Sequence, residues 1–219
     1  MNTNLSTQWW IEGGFTRKYN DYDIQQSITS IQNSTKSLII VEWIDATGKT
    51  SLTAWLTRML WGVYQKTPTS RTEEQKAIYE QPQITTQERF DFYYDANKDD
   101  IVDIDNEMKK GRVVVRDRFL ASTYVNHLTR DPTINLRDIL DFERSLKKVH
   151  IVLFASRDTI LWRLNTRTQL TQFEKNIDSL MRAQELFLKC NNDLIIDTGK
   201  GTVEGNVLKT FNYVKELIQ

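Results

Sequence analysis

The chain has 219 residues, 39% of them apolar and 26% charged, which is material for one sizeable core and excludes wholesale disorder. Lys plus Arg and Asp plus Glu number 29 each, a balance that argues against a strongly basic nucleic-acid binder while leaving room for a local basic patch. A single cysteine, Cys190, and two histidines exclude a disulfide framework and leave few ligands for zinc.

Residues 1–14 lack the basic start and apolar stretch of a secretion signal, and no apolar run approaches the ~20 residues of a membrane span. A cytoplasmic protein is expected, in the host cytoplasm if it is viral. Residues 1–36 are rich in Asn, Gln, Ser and Thr with scattered aromatics. They read as a polar N-terminal extension, either packed on the main domain or serving as a partner-binding or site-covering segment.

From residue 37 the pattern changes. Residues 38–41 are a short apolar run of the kind that forms a strand buried on both faces. A turn over 45–48 follows, and then Leu52, Trp55, Leu56, Met59 and Leu60 mark one face of a helix over 51–62. Further buried strands are expected at 113–115, 149–154 and 194–196. Helices are expected over 99–110, 135–146, 159–167, 174–189 and 203–217. Strands alternating with helices imply a parallel sheet with helices on both faces, and ligands beyond the carboxyl ends of the strands.

The residues after the strands carry the chemistry. Gly48-Lys49-Thr50 between strand and helix matches the end of a phosphate-binding loop. Backbone N–H groups at such a helix start attract an anion, Lys49 would reach the β- and γ-phosphates, and the Thr50 hydroxyl would bind Mg²⁺. The full pattern wants glycine at position 43, where this chain has Trp43. Either the tripeptide is fortuitous, or Trp43 sits in a permitted conformation at the strand end beside the loop. At the end of the second strand, Asp117 is placed to hold a metal or its water and Arg118 to clamp a phosphate; the alternative is a surface ion pair. Arg163 and Arg167 share a helix face ahead of the polar segment 168–172, as lid arginines do, or as a solvated basic face does. The turn at 197–201 could meet a nucleotide base or be an ordinary loop.

Together these residues resemble the thymidylate kinase-like family of P-loop nucleoside and nucleotide kinases, over 37–219. Glu42, Asp45, Gly48, Lys49 and Thr50 fit the family's loop, while Trp43 and Ala46 replace two of its glycines. Asp117-Arg118-Phe119 with Ser122 resembles its Asp-Arg-Tyr element. Arg163, Arg167, Phe173 and Glu174 resemble its lid, at about 164–174 here. The resemblance implies an α/β, three-layer P-loop NTPase-type fold with a small lid. It also implies ATP and Mg²⁺ as cofactors, a nucleotide acceptor and a homodimer, with no membrane association.

Carried over, the resemblance places Asp45, Ala46, Thr47, Gly48, Lys49, Thr50, Ser51 and Thr198 around the donor nucleotide, and Thr50 and Asp117 at the metal. Lys49, Asp117, Arg118, Arg163 and Arg167 become the catalytic groups, with Arg167 the lid arginine. Asp45, Arg71, Tyr93, Asn97, Arg118, Ser122 and Asn126 meet the acceptor. The base pocket departs from the pattern. Asn97 stands where the family usually has an arginine that reads thymine, and Asn126-His127 stands where an aromatic followed by Gln is common. The expected activity is therefore ATP-dependent phosphoryl transfer to a pyrimidine deoxynucleoside monophosphate, with a modified pyrimidine in view. Two alternatives stand beside it. One is a kinase of hydroxymethylpyrimidines in viral DNA, which the absence of net charge disfavours. The other is a non-catalytic nucleotide-binding module.

Overall fold

A computed structural model describes residues 17–35, 37–47, 49–67, 69, 72–170 and 174–218. Five strands make one all-parallel sheet: β1 (Leu38–Trp43), β2 (Val63–Lys66), β3 (Val114–Asp117), β4 (Lys148–Phe154) and β5 (Leu194–Asp197), in the order β2-β3-β1-β4-β5. In chain order, the helices among the described residues are α1 (Asp21–Asn33), α2 (Lys49–Met59), α3 (Glu73–Tyr79), α4 (Thr86–Lys109), α5 (Leu120–Arg130), α6 (Ile139–Ser145), α7 (Arg157–Asn165), α8 (Ile177–Leu188) and α9 (Val203–Ile218). No described helix is long and apolar enough to cross a membrane.

β1 is buried along its whole length because both of its faces are covered. Leu38 and Ile40 point to one side, where they pack with Ile24, Ile28 and Ile31 of α1 and with Phe90, Tyr94 and Ile101 of α4. Ile39, Val41 and Trp43 point to the other, against Leu52 and Leu56 of α2 and Val207 and Val214 of α9. A third cluster joins Val152 of β4 to α5, α7 and α8. This is the expected three-layer α/β arrangement.

Several elements differ from expectation. The helix expected over 99–110 begins at Thr86, because Thr85 and Glu88 form a capping box that starts it early. No strand was expected between 62 and 113, yet Val63–Lys66 pairs in parallel with β3 at the sheet edge. Gly62 makes the preceding turn possible, since a Cβ there would lie 2.8 Å from the Val113 carbonyl oxygen. The helix expected over 135–146 is confined to 139–145, after Arg137 at φ 50°. α5 had no counterpart in the sequence reading.

The polar segment before residue 37 contains α1, which is capped by a box between Asn20 and Asp23. Its approach is fixed by Asp99, which accepts the backbone N–H groups of Lys18 (2.6 Å) and Tyr19 (3.1 Å). The Tyr19 hydroxyl donates to Asp103 at 2.8 Å.

Candidate active site

The register of the sheet brings two chemical elements together. Val41 of β1 lies opposite Asp117 of β3, so the strand ends open onto the same level, just below the start of α2. Trp43 remains in β1 and is fully buried, and it is absent from the left-handed residues; the glycine it replaces is not needed for the turn. The left-handed position is Ala46, at φ 68°. Thr47 closes the turn by donating to the Ile44 carbonyl at 2.9 Å. Gly48 and Arg71 lie outside the described residues, as do the side chains of Lys49 and Thr50; the backbone of Lys49 and Thr50 forms the first turn of α2, where Ser51 is exposed.

Asp117 is buried at the end of β3. Its Oδ2 accepts the Tyr64 hydroxyl at 2.7 Å, while Oδ1 has no hydrogen-bond partner. Burial and this carboxylate push the Tyr64 phenol well above its ordinary pKa, so it stays a donor. Arg118 follows in a left-handed conformation, φ 68°, with its N–H bound to the Val41 carbonyl at 3.1 Å. Its guanidinium donates to Asp45 Oδ1 at 2.8 Å and lies over the Trp43 ring, 5.5 Å from the centroid.

Glu42 fixes the turn beneath them. Its buried carboxylate accepts the N–H groups of Phe119 (2.8 Å) and Ser122 (3.1 Å) and the Ser122 hydroxyl, satisfying donors at the start of α5. Burial pushes its pKa up. Ser122, expected at the acceptor, is thus committed to Glu42.

Arg163 and Arg167 diverge. Arg163 donates to the carbonyl of Ala46 (3.0 Å) and to the hydroxyl (3.0 Å) and carbonyl (2.6 Å) of Thr198. It braces the loop after β1 against the turn after β5. Arg167 instead pairs with the buried Glu174. Phe173 lies outside the described residues.

Beside this centre, α4 and α5 form a wall. Asn97 is fully buried, with Nδ2 donating to Thr123 (2.8 Å) and Oδ1 accepting from Thr67 (3.3 Å). Tyr93 donates to Glu80 at 2.7 Å and lies 5.8 Å from the His127 ring. His127 Nδ1 lies 2.7 Å from the Thr123 carbonyl, so Nδ1 carries the proton and buried Nε2, without a hydrogen-bond partner, is an acceptor. Burial lowers its pKa to about 4 and keeps the ring neutral. Asn126 is half-buried on the same helix, four residues from Ser122.

Two residues were missed. Lys66 ends β2 directly opposite Asp117 and is exposed; the basic residue expected at the acceptor from this part of the chain was Arg71. A basic residue closing the alternating stretch 63–66 was the available signal. Arg116 is fully buried, paired with Asp100 and donating to Gln65 (2.8 Å) and Thr67 (2.7 Å). Burial lowers its pKa to about 9. Nothing in a lone Arg after three valines announced this.

No family model and no curated protein matches the chain. Among solved structures it is similar to thymidylate kinase from Candida albicans, with a TM-score of 0.66 at 15% identity over 83% of this chain and 92% of that one. The chain thus has a thymidylate kinase-like fold.

Proposed function

We propose that this protein transfers the γ-phosphoryl group of ATP to a pyrimidine deoxynucleoside monophosphate. The observation that carries this reading is the convergence at the ends of β1 and β3: Asp117 with a buried Oδ1 that has no hydrogen-bond partner among the described residues, and Arg118 held beside Asp45 of the segment that leads from β1 into α2. A nucleotide kinase-like function also agrees with the structural neighbour.

The residues fit Mg²⁺. A buried carboxylate oxygen with no hydrogen-bond partner among the described residues suits a hard cation that is held by one or two carboxylates together with substrate phosphates. Asp117 would hold the ion or its water, with the Thr50 hydroxyl as its second protein partner; once bound, the ion neutralises charge on the donor phosphates. Tyr64 orients the Asp117 carboxylate by its hydrogen bond. The N–H groups of the first turn of α2 receive the donor phosphates, with Lys49 beside them. Arg118 offers the planar donor edge that the acceptor phosphate matches, and Lys66 adds a charge at the neighbouring strand end. Catalysis is then positioning plus electrostatic stabilisation, with Arg167 supplied from the lid side.

The acceptor base is read differently from thymine in the resembling kinases. Both ends of the Asn97 amide are occupied by Thr67 and Thr123, which supports a wall-forming role for it. Lost or added hydrogen bonds in such a pocket change selectivity by up to about 10⁴-fold. We therefore assign a modified or non-thymine pyrimidine as the preferred acceptor.

The test is ADP release from Mg·ATP across dTMP, dUMP, hydroxymethyl-dUMP, dCMP, thymidine and hydroxymethyluracil-containing DNA, with Lys49→Ala as the inactive control. Turnover on a free nucleotide supports the reading and fixes the base. Equal efficiency on dTMP removes the modified-base assignment, turnover on DNA alone moves the acceptor to a polymer, and silence on all of them leaves a binding module.

A further inference from the structure

The residue that departs most from the resembling phosphate loops is also the one that touches the acceptor-side arginine. Trp43 is buried at the end of β1, on the same side of the sheet as Val41 and Leu52, so its ring is immobilised by the core. The guanidinium of Arg118 lies over that ring at 5.5 Å, inside cation–π range, and its edge donates to Asp45. The backbone beneath is held independently, by the Arg118 N–H on Val41 and by Glu42 on Phe119 and Ser122. A glycine at position 43 would keep the backbone and the Asp45 hydrogen bond but remove the ring beneath the guanidinium.

We infer that Trp43 is a positioning residue for the proposed reaction: its ring supports the Arg118 guanidinium, so that the donor N–H groups are held toward the acceptor phosphate. This rests on the functional reading above. A long arginine side chain loses several rotamers when it clamps a ligand, and a planar platform removes part of that loss before binding. A ring contact engages the face of a guanidinium and not its N–H edge, which is the part that binds phosphate bidentately. Asp45 holds this edge in the substrate-free protein. The acceptor phosphate takes that place on binding, and the ring contact persists through the exchange.

The experiment compares wild type, Trp43→Phe and Trp43→Leu with the full chain and the acceptor identified by the panel. Trp43→Leu is expected to raise the acceptor KM about three- to thirtyfold, the range of a partly buried cation–π contact, with the ATP KM within twofold. Trp43→Phe, which keeps a ring face, should recover most of the loss. Equal changes in both KM values, or no rescue by Phe, would mean that Trp43 only fills the core and would overturn the inference.

A second readout does not depend on activity or on the folding of Trp43→Leu. The Trp43 fluorescence, taken as wild type minus Trp43→Phe, should shift when Arg118→Met removes the cation from the substrate-free protein. An unchanged difference spectrum would show that the contact does not exist in solution. Failure of the wild type on every acceptor is a different result, since it removes the functional reading, and with it the role of Trp43, even where the spectral shift is seen.

Discussion

Removal of the Glu42 clamp should separate geometry from charge. Glu42→Ala leaves two backbone N–H groups and one hydroxyl at the buried start of α5 without an acceptor. Each orphaned group costs about 1–3 kcal/mol, and release of a buried carboxylate offsets part of the sum, so a loss of about 3–5 kcal/mol is expected. Glu42→Gln keeps a carbonyl oxygen for the N–H donors and should lie within about 1 kcal/mol of wild type near neutral pH.

The pH dependence gives an independent check. Because burial raises the Glu42 pKa in the folded state, its contribution is fully present below the ordinary carboxylate range. It is lost as pH rises from there through the raised folded-state value. Glu42→Gln should lack that decline. Urea unfolding of the three proteins across this pH range is the assay. If Glu42→Gln falls as far as Glu42→Ala, the charge and not the acceptor geometry holds the turn, and the reasoning is wrong.

Three other expectations follow from the site. Ala46→Gly relieves a left-handed alanine at φ 68° and should raise stability by about 0.5–1 kcal/mol after the extra unfolded-state freedom of glycine is counted; destabilisation would show that the Ala46 methyl packs better than it strains. Asp117→Asn should lower kcat by about 10²–10³-fold and weaken the Mg²⁺ dependence, while Tyr64→Phe should cost about tenfold or less, both read from steady-state rates across a Mg²⁺ titration. His127, held near a pKa of about 4, contributes stability above its ordinary value of 6.5 that is lost as pH falls from there through about 4. The difference is about 3 kcal/mol. His127→Gln should flatten the acid limb, and an NMR titration placing the ring near 6.5 would remove the argument.

Four of the strands were legible because each contains a run of apolar residues that needs no partner to be recognised, as at 38–41 and 149–154; the run at 194–196, expected to be buried, instead forms the edge strand β5, where Ile195 is exposed because no further strand covers it. β2 was not, because an edge strand of four residues alternates half-buried and exposed positions and its length gives no pattern. α4 was read only from residue 99 because its inward face carries Asn97, Asp99, Asp100 and Asp105 beside the apolar residues. Those groups are tolerated inside because Asn97, Asp99 and Asp100 meet side chains or backbone N–H groups from other parts of the chain. The spacing Ile24, Ile28, Ile31 was present in the polar N-terminal segment, but short and surrounded by Gln, Ser and Thr.

At the site, Asp45 and Arg118 meet in an ion pair, and Asp117 ends β3 opposite Val41 of β1. Spacing could not tell that Arg163 would brace two loops or that Ser122 would serve Glu42. Those outcomes depend on which atoms meet across the fold.

The anchorage of α1 has a consequence for the order in which the chain can assemble during synthesis. Lys18 meets Asp99 across 81 residues of sequence. At about 5–20 residues per second, the ribosome delivers that partner some 4–16 s after the first helix emerges. A helix of 13 residues is marginal on its own in water. The segment that leaves the ribosome first is therefore obliged to wait for its seat, and its docking belongs among the late steps of folding.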